Sequence, residues 1–122
     1  MDMKVYTDAS KTVLCFVCPE KQKTVIERHF YKTTNEAEYG AVLLALRHLK
    51  GDLEIVVDSQ LVANQFNKLY KVRSPRMEMM LANLRSHCLR RKVTITWVER
   101  ELNMAGRRIE KYEATGGNGW KN

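Results

Sequence analysis

Apolar and β-branched residues fall into three short runs at the start of the chain, 4–8, 12–18 and 24–31, rich in Val, Ile, Phe, Tyr and Thr. Polar breaks at Ser10-Lys11 and Pro19-Glu20-Lys21-Gln22 separate them. Runs of this make-up read as strands, and connections this short predict an antiparallel meander. The period then changes. Over residues 35–49, Ala37, Ala41, Leu44, Ala45 and His48 share one stripe, and Val42, Leu43, Leu46 and Leu49 widen it until little polar face remains. That pattern predicts a central helix packed on a sheet, ended by Gly51. Residues 53–57 form a continuous apolar run, as in a strand covered on both faces.

Helical spacing resumes over 59–66, so Asp58 falls at a strand-to-helix junction. Ser74-Pro75 reads as an N-cap followed by a first-position proline, opening a helix to about residue 89. Met77, Met80, Leu81, Leu84 and Cys88 make its apolar face. Residues 93–98 alternate as a fifth strand, a short helix follows Asn103, and the Gly116-Gly117-Asn118-Gly119 segment predicts a mobile tail from about residue 114. At 122 residues the chain is expected to be one domain, large enough to fold without staples. No internal repeat is visible.

The formal charge of +7 is unevenly spread. Through residue 67 there are eight basic and nine acidic residues, net −1, and from residue 68 thirteen and five, net +8. Lys68, Lys71, Arg73, Arg76, Arg85, Arg90, Arg91 and Lys92 belong to that basic half, which suits attraction of a polyanion. Three cysteines and no secretory h-region argue against a disulfide framework and for a reducing, cytoplasmic setting. Cys15 and Cys18 match C-x-x-C, but on a strand residues three apart face opposite sides, so both read as packing. No window approaches a membrane span.

Three acids from separate elements remain: Asp8 at the end of the first strand, Glu38 near the start of the first helix, and Asp58 at the tip of the fourth strand. Carboxylates converging at a sheet edge suit a divalent metal. Glu36 lies about 200° around the helix from Glu38, so the two cannot face the same point, and Glu36 reads as serving the helix N-terminal dipole. His29, His48 and His87 read as strand and helix residues without a chemical role.

The order of elements resembles the ribonuclease H fold, an α/β architecture whose five-stranded mixed sheet has three antiparallel strands and two parallel additions, flanked by helices. Four motifs carry the resemblance: Thr7-Asp8-Ala9-Ser10, Thr33-Thr34-Asn35-Glu36-Ala37-Glu38-Tyr39, Val57-Asp58-Ser59-Gln60, and Trp97-Val98-Glu99-Arg100-Glu101-Leu102-Asn103. The resemblance is to the type 1 ribonuclease H family and covers about residues 3–112. It implies a monomeric endonuclease that cuts the RNA strand of RNA–DNA hybrids, leaving 5′-phosphate and 3′-hydroxyl ends. Asp8, Glu38 and Asp58 become ligands of two Mg²⁺ or Mn²⁺ ions, which suit hard oxygen ligands and serve the attacking and leaving oxygens. Thr33, Thr34, Asn35, Ser59 and Gln60 fall on substrate-contacting positions, where amides suit an RNA 2′-hydroxyl. Thr33 and Thr34 also read as helix caps.

The chain departs from the family at the fourth acid. Aligned through the apolar and small residues that follow, Asn103-Met104-Ala105-Gly106 puts Asn103 in the acid's place, with an amide oxygen for the metal; alignment through the asparagine itself would put Arg107 there, which cannot ligate a cation. Asn103 also reads as an N-cap, and Glu110 is a poorer substitute. Two divalent ions, three carboxylates and one phosphate balance at about +4 and −4, so a neutral fourth group is tolerable. Ala9 replaces the family's glycine after the first Asp, and the histidine before the last helix is missing. A binding module that has lost catalysis, and a nuclease acting on double-stranded RNA, are the rival readings.

Overall fold

The computed structural model describes residues 2–116. Five strands and four helices follow in the order β1 Met3–Ala9, β2 Val13–Cys18, β3 Lys23–Arg28, α1 Thr34–His48, β4 Leu53–Val57, α2 Gln60–Phe66, α3 Pro75–Ser86, β5 Val93–Trp97 and α4 Met104–Ala114. The sheet order is β3-β2-β1-β4-β5. β1, β2 and β3 pair antiparallel, and β4 and β5 extend the sheet in parallel from β1. This is the mixed ribonuclease H-like sheet expected from the sequence.

Alternation along the central strands divides the core between two faces. Val5, Phe16, Cys18, Leu53, Ile55 and Val57 pack under α1 and α3, while Val13, Cys15 and Val17 pack under Ala105 and Ile109 of α4. Cys15 and Cys18 therefore lie on opposite faces, and all of β2 is buried. β1 and β4 run side by side with Met3 opposite Leu53 and Tyr6 opposite Val56. Continuing that register by two residues sets Asp8 across from Asp58.

Element ends follow their partners more closely than their composition. The third strand was expected to reach residue 31 but stops at Arg28, because β2 begins at Val13 and offers no ladder beyond that pair. Helix α1 ends at His48 with Leu49 extended and buried, and Gly51 turns at φ +85° toward β4 rather than capping the helix. Helix α3 stops at Ser86, three residues short of expectation, where the His87 and Cys88 backbone N–H groups close turns on Leu84 and Arg85. Of the expected tail, Thr115 and Gly116 form a turn after α4 and residues 117–122 lie outside the described residues. No helix among the described residues is long and apolar enough to cross a membrane.

Side-chain bonds lock the helices to one another. The buried Tyr39 hydroxyl on α1 donates to Gln65 Oε1 on α2 at 2.6 Å, Gln65 Nε2 donates to the Lys71 carbonyl, and the Arg85 guanidinium donates to the Phe66 carbonyl at 3.0 Å while lying over its ring. Removing the hydroxyl leaves the buried Gln65 carbonyl oxygen without its donor. Tyr39→Phe is expected to cost about 1–2 kcal/mol, read as a lower urea midpoint at unchanged slope.

Candidate active site

Asp8 is carried to the site by β1, whose neighbours on both sides leave it no freedom, and Asp58 follows the last residue of β4. Glu38 comes from the second turn of α1, whose start is set by the Thr33 hydroxyl accepting the Glu36 N–H at 3.1 Å. One carboxylate oxygen from each of the three lies within 4.8 Å of the others. Glu36 turns away, as its helical position requires, and pairs with Arg76 of α3 at 3.7 Å.

Burial raises all three acids, and the neighbouring carboxylates add to it for Asp8 and Glu38. Asp8 is 3 % exposed, and burial followed by the charge of Asp58 pushes its pKa up to about 6. Burial, then Asp8 and Asp58, raise Glu38 furthest. Burial raises Asp58 too, against hydrogen bonding from Asn103. The contact between Glu38 and Asp8 raises Glu38 and lowers Asp8, so Glu38 is the acid of the three that burial and its neighbours favour most in the neutral form. Burying a charge without a partner is costly, and proton retention is the available answer. A divalent cation is the other, and the donor set fits one: hard oxygen atoms, several acids, and open positions for water and phosphate.

The last helix closes the arrangement. Asn103 is fully buried at the N-cap of α4. Its Oδ1 accepts the Ala105 N–H at 3.0 Å, and its Nδ2 donates to the Thr7 carbonyl at 2.9 Å and to Asp58 Oδ2 at 3.3 Å. The amide oxygen is thus engaged at the helix cap, and it is the Nδ2 that meets the acids. Turning the amide over would set its NH₂ against the Ala105 N–H and its oxygen against the Thr7 carbonyl. Asn103 tethers Asp58 as a donor and stitches α4 to β1. Beyond it, Gly106 packs so close that a Cβ there would stand 2.9 Å from Asp8 Oδ2 and 3.7 Å from Asp58 Oδ2. The small residue is needed for that approach, which also turns the positive end of the helix toward the acids. Arg107 and Glu110 are exposed and line a separate surface cleft with Arg100 and Glu101.

Two residues of the last motif join the site through their own contacts. Arg100 is the cation whose field lowers Asp8, Glu38 and Asp58 alike. Trp97 donates its indole N–H to the Asp58 carbonyl at 3.1 Å. The signal for both was their place in the motif segment that runs from the end of β5 to Asn103. Of the expected substrate positions, Thr33 is the N-cap of α1 and Ser59 that of α2, accepting the Val62 N–H at 3.2 Å. Thr34, Asn35 and Gln60 stand exposed at the same helix starts. Thr33, Thr34 and Asn35 open the helix that carries Glu38, and Ser59 and Gln60 follow Asp58 in the chain.

The RNase H family model matches residues 1–101. The chain belongs to the RNase H family. The match takes in Asp8, Glu38 and Asp58 and stops just before Asn103, where the sequence departs. Among solved structures, the metagenomic RNase H1 LC11 in complex with an RNA/DNA hybrid aligns with TM-score 0.73 at 20% identity, over 87% of this chain and 92% of that one. RNase H1 from Halobacterium salinarum aligns at 0.72 and 22%, over 88% and 93%. The N-terminal RNase H domain of a Mycobacterium tuberculosis protein aligns at 0.70 and 17%, over 88% and 95%. No curated protein matches this chain.

Two outcomes follow for the metal-free protein. Asp8 and Glu38 hold protons in the fold that they lose on unfolding, so stability falls as pH rises above the ordinary carboxylate range toward their raised values. Glu38→Gln removes that penalty, and at pH 7 should raise Tm by a few degrees, at about 2–8 °C per kcal/mol, in differential scanning calorimetry. Gly106→Ala gains about 1 kcal/mol of helix propensity yet drives a methyl into Asp8. It should weaken divalent-metal affinity several-fold in calorimetric titration.

Proposed function

We propose that this chain is a divalent-metal-dependent endoribonuclease that hydrolyses the RNA strand of RNA–DNA hybrids, leaving 5′-phosphate and 3′-hydroxyl ends. The observation that carries the reading is the meeting of Asp8, Glu38 and Asp58 within 4.8 Å at one end of the sheet of an RNase H family chain. The hybrid bound by the LC11 relative supports the choice of substrate. Asp8, Glu38 and Asp58 would hold two Mg²⁺ or Mn²⁺ ions, which when bound would make water nucleophilic near neutral pH and stabilise the departing oxygen.

The chain's own groups do the rest. Asp8 and Glu38 are raised above the ordinary carboxylate range, so cation binding by these groups would displace protons and would strengthen as pH rises. Asn103 holds the Asp58 carboxylate in one orientation through its Nδ2–H. Arg100 offers positive charge beside the acids to a phosphate that those acids alone would repel. Thr34, Asn35 and Gln60, with the capped helix starts beneath them, contact the sugar and backbone of the duplex.

The test is an end-labelled cleavage assay on RNA–DNA hybrid, double-stranded RNA and double-stranded DNA with Mg²⁺ or Mn²⁺. Metal-dependent cutting of the hybrid's RNA strand is expected, with Asp58→Asn reducing it at least about a hundredfold, in the range of losing an electrostatic stabiliser of the transition state. Binding without cleavage would overturn the enzymatic reading, and preference for double-stranded RNA would overturn the substrate. In the same assay Asn103→Ala should lose far more activity than Glu110→Ala, because only the first frees Asp58.

A further inference from the structure

The loop between β3 and α1 is pinned on either side of one residue. His29 Nε2 lies 2.8 Å from the Ser10 carbonyl and so carries the proton, while Nδ1 accepts the Tyr31 N–H at 3.0 Å. The two rings lie with centroids 5.3 Å apart. Tyr31 rests on α1 at Gly40, where a Cβ would come within 2.5 Å of its Cε2. Between these anchors Phe30 is 93 % exposed. A slack loop would fold such a ring back onto apolar surface. Here both neighbours are fixed, and the ring is held out in water.

Phe30, Tyr31, Lys32, Glu36 and Arg76 line a cleft of about 600 Å³. Tyr31 and Arg76 are shared with a second hollow of about 590 Å³ that Arg47, Met79 and His87 also line. The two form one track from the start of α1 to α3. Its cations are Lys32, Arg47 and Arg76, and the acid among the lining residues, Glu36, is largely covered and paired with Arg76. Aromatic rings beside basic side chains are the make-up of a single-strand platform, where bases stack and cations follow the backbone. Paired bases inside a duplex have both faces covered, so a protruding ring finds a stacking surface on an unpaired one.

We propose that this cleft holds an unpaired single strand that continues from the duplex at the cleavage site, with a base stacked on Phe30 and phosphates against Lys32 and Arg76. The proposal rests on the hybrid-nuclease reading, because the track begins at Lys32, just before the N-cap Thr33, and at Glu36 in the first turn of α1, the two flanking Thr33, Thr34 and Asn35 in the chain. It explains why an RNase H family chain keeps an aromatic side chain in water on a braced loop.

The experiment measures fluorescence anisotropy of labelled RNA–DNA hybrids in an Asp58→Asn background, which keeps the substrate intact. Blunt hybrid is compared with hybrids carrying a short single-stranded overhang at each of the four strand ends in turn. At least one overhang is expected to tighten binding by about fivefold or more, the lower range for stacking one base on an aromatic ring. Phe30→Ala and Lys32→Gln should each erase that gain while leaving blunt-hybrid affinity within about twofold. Because Phe30 touches solvent, its variant keeps the fold, and a thermal melt verifies that. Tight binding of blunt hybrid with no gain from any overhang, or a gain that survives Phe30→Ala, would overturn the cleft alone and point to a different occupant such as an acidic peptide. Failure to bind blunt hybrid at all would overturn the nuclease reading and this proposal with it.

Discussion

Repulsion among Asp8, Glu38 and Asp58 is the constraint to which the rest of the molecule answers. With oxygens within 4.8 Å, each fully charged pair would repel by about 3 kcal/mol at an effective dielectric near 20. None of the three elements that carry them could hold that position by local preference. β1 and β4 are held by strands on both sides, and α1 by an apolar face running from Ala37 to Leu46. The packed core supplies the rigidity, and the carboxylates stay together because the backbone beneath them cannot separate. Protonation, the Arg100 field and the start of α4 then soften the repulsion without removing the acids.

Asn103 shows how a neutral residue suits this arrangement. An acid in its place would add a fourth charge to a cluster that already retains protons, and would lose the donor that now reaches both the Thr7 carbonyl and Asp58. The amide does three things at once: it caps α4, ties that helix to β1 and fixes one carboxylate. The acidic end of the sheet and the packing of its second face thus share one buried side chain.

Much of this was legible in the sequence. The strand-end positions of Asp8 and Asp58, the helical phase separating Glu36 from Glu38, and the opposite faces of Cys15 and Cys18 all follow from periodicities of two and 3.6. What was hidden depended on partners distant in the chain. The end of β3 is set by where β2 begins, and its composition continues strand-like through Phe30 and Tyr31. The orientation of the Asn103 amide depends on a carbonyl 96 residues earlier. Arg100 gains meaning only once three acids are gathered beside it, and the display of Phe30 only once His29 and Tyr31 are seen to be anchored.

The register between β1 and β4 has a consequence for how the chain tolerates change. Asp8 and Asp58 face each other because both strands keep the same count from Met3 and Leu53 onward, and a slip of one residue would send one aspartate to the opposite face. Insertions in the connecting turns leave that count intact, whereas one extra residue within either strand would give a folded sheet without a site. The meeting of the two carboxylates is therefore a direct mark of correct strand alignment in this protein, and a chain with native helix content but its aspartates on opposite faces would be a misregistered sheet.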